Sequence, residues 1–142
     1  MENKFKITEI NYKQTFSIRH TVMWPNKPLE YIKLPNDKIG KHYGLSVGQK
    51  LVSIISLFEN RNKVQFRKFA TLKEYQGIGY GTALLNYIIA LAKEQECHKI
   101  WCNARVDKAN FYLKFGLQKT TTRFTKEGIA YVIMEKTFGQ KN

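Results

Sequence analysis

Cysteine, proline and acidic side chains are all scarce in this chain of 142 residues, and each shortage excludes something. The two cysteines, Cys97 and Cys102, stand so close that a disulfide between them would close a very small loop. Cys102 also falls in an apolar run that reads as a buried strand, so both are expected as free thiols in a reducing, cytoplasmic setting. Neither has a partner at zinc-like spacing, and His98 would point to the opposite side of a strand from Cys97; no metal site is expected. No apolar run approaches the roughly 20 residues that span a bilayer, and no leader of basic, apolar and small-residue segments opens the chain. A soluble protein with no membrane partner is expected.

Only 11 Asp and Glu face 24 Lys and Arg, a formal charge of +13 that favours any polyanion at long range. The basic residues are spread along the chain, mostly as lysines alternating with apolar residues, which is the pattern of a solvated basic surface. A basic nucleic-acid-binding module remains a rival reading, but there is no recognition helix, zinc spacing or aromatic RNA-binding motif, so specific nucleic-acid binding is not expected. With 43% hydrophobic residues, residues 1–142 suffice for one core and one domain.

What is present is a strongly patterned chain. Phe5 to Ile10 alternates as a strand, and Asn11 is placed to cap a helix carrying Tyr12, Phe16, Arg19 and Val22, ended by Trp24 and Pro25. Pro25, Pro28 and Pro35, with Asn36, Asp37 and Gly40, mark an irregular stretch around the short apolar segment Leu29 to Leu34. Tyr43 to Val47 and Leu51 to Phe58 read as a hairpin about Gly48 and Gln49, and a turn at Glu59 to Asn62 leads into Val64 to Ala70. Thr82 to Glu96 is an amphipathic helix with Leu84, Leu85, Ile88, Leu91 and Ala92 on one face. Lys99 to Ala104 is a fifth strand, and Asp107 is placed to cap a short helix that Gly116 ends. Leu117 to Phe124 and Ala130 to Phe138 close the chain as a hairpin about Thr125 to Gly128. The order predicts an α/β domain with a mixed sheet and flanking helices.

Gln76, Gly77, Ile78, Gly79, Tyr80 and Gly81 lie between a strand and a helix, where glycines let the backbone approach a ligand and the helix start offers unpaired N–H groups. A pyrophosphate is the natural guest. A Walker-type phosphate loop would need Lys then Ser or Thr after the last glycine, whereas Thr82 and Ala83 follow Gly81. A dinucleotide fold would want this turn after the first strand of a βαβ unit and an acidic residue about 20 positions on, and neither is found.

The spacing of Gln76, Gly79 and Gly81 resembles the Gln/Arg-x-x-Gly-x-Gly/Ala signature of the GNAT acyltransferase superfamily. The run from Thr71 to Leu85 (TLKEYQGIGYGTALL) is similar to that family's strand, turn and helix, and Phe111 to Leu117 (FYLKFGL) resembles its Phe-Tyr-x-x-x-Gly-Phe motif. Ile18 to Pro25 (IRHTVMWP), with His42, Tyr43 and Gly44, resembles the ElaA-like branch. Lys73 stands where the family often has proline, and Tyr131 where that branch has histidine.

The resemblance implies a twisted mixed sheet whose fourth and fifth strands splay to admit acetyl-coenzyme A. It places the pyrophosphate on Gln76, Gly77, Ile78, Gly79, Tyr80, Gly81 and Thr82. It places the pantetheine arm along Phe69, Ala70 and Thr71 near Asn103, with Asn110 as a further cofactor contact. Tyr112 is implied as the general acid for the departing thiolate. The residues alone would equally place it in an aromatic core with Phe111 and Phe115. For the general base, Glu30, Asp37, His42, Glu59 and Glu74 are all conceivable, with His42 the first choice and water as a relay. Arg19, His20 and Trp24 are expected to line an acceptor pocket. No cysteine occupies a nucleophile position, so direct acetyl transfer to a primary amine, small or protein-borne, is expected. A domain that senses acyl-coenzyme A without catalysis is the alternative, and self-association into a homodimer is left open.

Overall fold

The computed structural model describes residues 4–139. Seven strands form a mixed sheet: β1 Phe5–Ile10, β2 Lys41–Val47, β3 Lys50–Asn60, β4 Lys63–Thr71, β5 Lys99–Arg105, β6 Gln118–Lys126 and β7 Ile129–Thr137, in the order β1-β2-β3-β4-β5-β7-β6. The helices are α1 Phe16–Ile18, α2 Tyr80–Glu94 and α3 Ala109–Leu113, with several short 3-10 turns. This is the α/β mixed-sheet class expected. The chain divides into two compact units, Met1–Phe58 with Lys68–Ile88, and Glu59–Arg67 with Ile89–Asn142. Strand β4 and helix α2 each contribute to both.

In the first unit β1, β2 and β3 form an antiparallel meander, and Val47 opposite Lys50 leaves Gly48 and Gln49 as a two-residue turn with Gly48 at φ +60°. Cross-strand partners share a face, so Tyr43 and Ile55 lie on one side of the sheet and Gly44 and Ile54 on the other. Helix α2 covers the first side, with Tyr87 6.0 Å from Tyr43 and Tyr80 edge-on to Phe5 at 6.1 Å. On the second side Ile18 of α1 packs with Ile54 and Ala70, flanked by Ile10, Val22, Met23, Leu51 and Leu72. Both faces of a strand such as β3 are therefore buried, which is why Val52 to Phe58 reads as a continuous run.

The single helix expected after Asn11 is instead three short pieces. Asn11 does cap the first: its Oδ1 accepts from the amide of Lys13 at 2.9 Å, and the Gln14 Oε1 accepts from the amide of Asn11 at 2.8 Å. A 3-10 turn Tyr12–Thr15 and α1 then give way to a π-helical turn, Arg19–Met23, the geometry in which Arg19 turns inward.

In the second unit β5, β7 and β6 are antiparallel, while β4 and β5 run parallel through Lys63↔Lys99, Val64↔Ile100 and Gln65↔Trp101. Beyond that ladder β5 continues to Arg105 with β7 as its partner. The turns expected at Glu59 to Asn62 and Thr125 to Gly128 shrink to Arg61–Asn62 and Glu127–Gly128 as the strands lengthen. All four residues have positive φ, the two-residue turn that matches strand twist. Helix α2 ends at Glu94, and the turn that follows is closed by Glu96, whose φ of +60° takes the place glycine usually holds. Amide bonds from Cys97 to the carbonyl of Ala92 and from Glu96 to that of Lys93, both 3.0 Å, complete the cap. Asp107 lies within a 3-10 turn, Val106–Lys108, and makes no cap: α3 starts after Lys108 without a side-chain capping bond.

Candidate active site

The glycine turn is built from the end of β4 outward. After the 3-10 turn Lys73–Tyr75, Gln76 donates its Nε2–H to the carbonyl of Thr71 at 2.8 Å, tying the turn back to the strand that precedes it. Gly77 at φ +78° and Gly79 at φ +100° take backbone conformations that side-chain-bearing residues avoid, and a Cβ at either would meet nothing within 4 Å. The space beside them is open. Gly81 serves packing instead. A Cβ there would meet Thr71 Oγ1 at 3.3 Å and the Phe69 ring at 3.4 Å, so its absence lets α2 approach β4.

Helix α2 begins as the amide of Ala83 bonds the carbonyl of Gly79 at 2.9 Å, which leaves the first amides of the helix without partners inside it. No acidic residue lies in that first turn. The positive end of the helix dipole thus meets an open glycine backbone, a fit for a pyrophosphate. Ile78 is 59% exposed and Thr82 exposed, whereas Tyr80 is buried against Phe5 and Tyr75.

Phe69, Ala70 and Thr71 end β4 in the same unit. Ala70 points into the cluster with Ile18 and Ile54, and Phe69 and Thr71 point to the α2 side beside Gly81. Ser53 fixes this end of the strand, its Oγ 3.2 Å from the Ala70 carbonyl and 2.8 Å from Thr71 Oγ1. Just before them Lys68 sits at φ +55°, a left-handed residue within a strand, which interrupts the extended backbone of β4 ahead of these three residues. Nothing in the local sequence signals it, because lysine has no preference for that conformation.

In the second unit Asn103 is exposed on β5 opposite Ile133, and Asn110 is exposed on α3. Tyr112 is half-buried, its ring 5.7 Å from Phe66 and 5.3 Å from Phe111. Burial first, and the nearby Cys102 second, raise its pKa well above the ordinary tyrosine value, against the opposing charge of Arg105. The hydroxyl stays protonated at any physiological pH. Its geometry therefore suits a hydrogen-bond donor and not a phenolate.

Arg19 and His42, expected at the acceptor pocket and as the base, are placed elsewhere: both are buried in one polar cluster. Arg19 donates to both carboxylate oxygens of Asp37 at 2.8 and 2.9 Å, to the Ile32 carbonyl at 3.1 Å and to Ser56 Oγ at 3.0 Å. His42 has both ring nitrogens engaged, Nδ1 with Ser56 Oγ at 2.7 Å and Nε2 with the Asp37 carbonyl at 2.9 Å. A fully enclosed guanidinium and an imidazole with no free nitrogen hold the irregular stretch onto β2 and β3 and offer nothing to a substrate. The same cluster removes Asp37 from the candidate bases. His20 is partly exposed with Nε2 2.6 Å from the Lys27 carbonyl, and Trp24 is partly exposed and edge-on to Tyr31 at 5.1 Å. Glu30 pairs with Lys33 at 2.6 Å, and Glu59 and Glu74 are exposed.

Burial raises the thiol of Cys102 to about 12, and burial followed by the charge of Glu59 raises that of Cys97. Among the described residues no cluster of three His, Cys, Asp or Glu side chains is placed to hold a metal, and no helix is long and apolar enough to cross a membrane.

An open glycine turn at an acid-free helix start, following a strand of a mixed sheet, suits a ligand that carries a diphosphate. The chain belongs to the GNAT acetyltransferases: residues 11–138 match the family described as Acetyltransferase (GNAT) domain. It is therefore an acetyl-coenzyme A-dependent acetyltransferase. The uncharacterized N-acetyltransferase YitI of Bacillus subtilis is 27% identical, over 93% of this chain and 95% of its own. A provisionally assigned N-acetyltransferase from Lactobacillus plantarum shares the fold at a TM-score of 0.85 and 19% identity, covering 95% of this chain and 99% of that one. ElaA of Escherichia coli does so at 0.78 and 15%, covering 94% and 99%. A GNAT family acetyltransferase from Elizabethkingia anophelis, solved with acetyl-coenzyme A bound, matches at 0.72 and 16%, covering 96% and 100%.

Proposed function

We propose that this enzyme acetylates a primary amine by direct transfer. The reading rests on the open, left-handed Gly77 and Gly79 at the start of α2, where no atom stands within 4 Å of the place a side chain would begin. Acetyl-coenzyme A supplies the activated thioester. The amides from Gly77 to Thr82 hold its diphosphate, and Gln76 keeps that turn against the end of β4. Backbone groups of Phe69, Ala70 and Thr71 receive the pantetheine arm as an added strand, with Asn103 and Asn110 as polar contacts from β5 and α3.

Tyr112 donates a hydrogen bond to the departing sulfur. A tyrosine with a raised pKa is a weak acid, so its contribution is a hydrogen bond to the forming thiolate more than full proton transfer. A water relay takes the amine proton, since His42 and Asp37 are engaged in the buried cluster. Direct transfer accords with two buried, protonated thiols that cannot serve as nucleophiles. His20 and Trp24 face the acceptor.

The test is thiol release from acetyl-coenzyme A across a library of primary amines, run beside the melting temperature with coenzyme A alone. Turnover with at least one amine supports the reading. A melting shift with turnover of none would leave a binding domain and discard amine transfer.

A further inference from the structure

Phe124 of β6 and Tyr131 of β7 are cross-strand partners whose rings stack at 5.1 Å with only 16° between planes. Phe124 is 37% exposed on the edge strand, and among the described residues no second ring packs on it. The stack therefore ends in an open aromatic face. The reverse side of these strands is packed, with Cys102, Ala104, Val132 and Met134 buried. On the side of the rings Asn103 is exposed, and Arg105, Tyr131 and Ile133 are half-buried.

The charge around the pair has one sign. Strand β6 carries Lys119, Arg123 and Lys126 and no acidic residue. Arg105 of β5 is the partner of Tyr131 on its far side, in the same row as the rings. The acids of this hairpin are Glu135, bonded to Lys99 at 2.8 Å, and Glu127 in the turn.

A chain of formal charge +13 attracts any polyanion, but charge alone gives no use to a ring with an open face. An acidic protein surface would engage the cations and leave Phe124 idle. A duplex keeps its bases stacked inside and presents phosphates only. A single strand offers both unpaired flat bases and phosphates, the combination that stacking platforms in cationic surfaces hold.

We propose that the β6–β7 hairpin is a docking surface for single-stranded nucleic acid. One unpaired base continues the Tyr131–Phe124 stack, and the phosphates on either side meet Arg123 and Lys126, which flank Phe124 along β6. Stacking accepts every base, so the surface selects strandedness and not sequence, in keeping with a chain that has no recognition helix or RNA-binding motif. The inference uses residues of the second unit alone and does not depend on amine transfer.

The experiment measures fluorescence anisotropy of labelled oligothymidylate and oligouridylate of about 15 nucleotides, beside a duplex of equal length. The two single strands separate DNA from RNA as the source, and tight binding of either supports the surface. At least one should bind about tenfold more tightly than the duplex, the low end for one base stacked on an aromatic ring. Phe124→Ala and Phe124→Leu, each shown to be folded by its melting transition, should both lose that advantage, because leucine keeps an apolar side chain without a ring face. Replacing Arg123 and Lys126 together by Gln should reduce the slope of log affinity against log salt by about 1.4, two phosphate contacts at about 0.7 each. Equal affinity for single strand and duplex, or single-strand binding unchanged in the Phe124 variants, reduces the effect to net charge and overturns the proposal. Displacement of the strand by polyglutamate as readily as by unlabelled strand overturns it too, and points to an acidic protein instead.

Discussion

Arg19 and Asp37 face each other through two parallel hydrogen bonds, Nη1 to Oδ2 at 2.9 Å and Nη2 to Oδ1 at 2.8 Å, with both side chains buried. Through the same guanidinium the π turn is joined to Ile32 and Ser56, and through Ser56 to His42. The prolines and short 3-10 turns between residues 24 and 40 supply little regular hydrogen bonding, so this cluster is what fixes their path. The Arg19 Nε, buried without a partner among the described residues, shows that the cluster is a compromise and not an ideal cage.

Removing one partner leaves the other charge buried and uncompensated. Asp37→Asn should destabilise the fold by about 3 kcal/mol in chemical denaturation at neutral pH, the low end for a broken buried pair. The pH dependence has a definite sign. Burial alone would raise the pKa of Asp37, but the Arg19 hydrogen bond, the Leu34 amide and the charges of Arg19 and His42 together bring it below its ordinary 3.8. A carboxyl with a depressed folded-state value contributes stability above its unfolded value and loses it as the pH falls through the folded one. Wild-type stability should therefore drop below about pH 4. The Asp37→Asn protein should lack that part of the drop, and identical acid slopes would contradict the role given to this pair.

Little of this cluster was legible in the sequence, for a physical reason. Asp37 and Ser56 reach Arg19 across 18 and 37 positions, and an arginine in an amphipathic stretch ordinarily marks the solvent side. His42 likewise looked available because its partners are a distant hydroxyl and a backbone carbonyl. Features set by local backbone chemistry could be read: the Gly48–Gln49 turn, the Asn11 cap and the glycine turn all depend on residues within a few positions. The left-handed backbone at Lys68 could not, since lysine has no preference for it. Glu96 just after α2 is similar, a left-handed position occupied by a residue that does not announce it.

The glycine turn yields a direct test. Acetyl-coenzyme A should raise the melting temperature of the wild type. Gly79→Asp should abolish that shift by bringing a carboxylate to the place proposed for the diphosphate. Because φ is +100° at this position, the variant should also lose about 1 to 3 kcal/mol of stability. Gly79→Ala separates the effects, carrying the same backbone strain without the charge. A full ligand shift in Gly79→Asp would remove the turn from the cofactor site.

The thiols make a prediction by their silence. With Cys102 raised to about 12 and Cys97 raised as well, a disulfide-exchange reagent at pH 8 should titrate neither thiol in the native protein and both after denaturation. Alkylating reagents should leave acetyl transfer intact, and Cys102→Ala should retain turnover at the cost of some packing. Rapid inactivation by iodoacetamide, prevented by acetyl-coenzyme A, would indicate an accessible thiol at the site and reopen a covalent route.

Tyr112 separates the catalytic proposal from the fold. Tyr112→Phe keeps the ring that packs on Phe66 and Phe111 and removes the hydroxyl alone, so stability and the coenzyme A melting shift should be nearly unchanged. If that hydroxyl meets the departing sulfur, kcat should fall by about 10²-fold, the low end for a general acid, because the donor is weak. The loss should shrink with an acyl thioester of a more acidic thiol, which needs less help to leave. Since burial holds the hydroxyl protonated far above neutral pH, the wild-type rate should show no alkaline decline from this group around the ordinary tyrosine value near 10. An unchanged kcat in a folded variant, with chemistry limiting the rate, would return Tyr112 to the aromatic core and leave the thiolate to water.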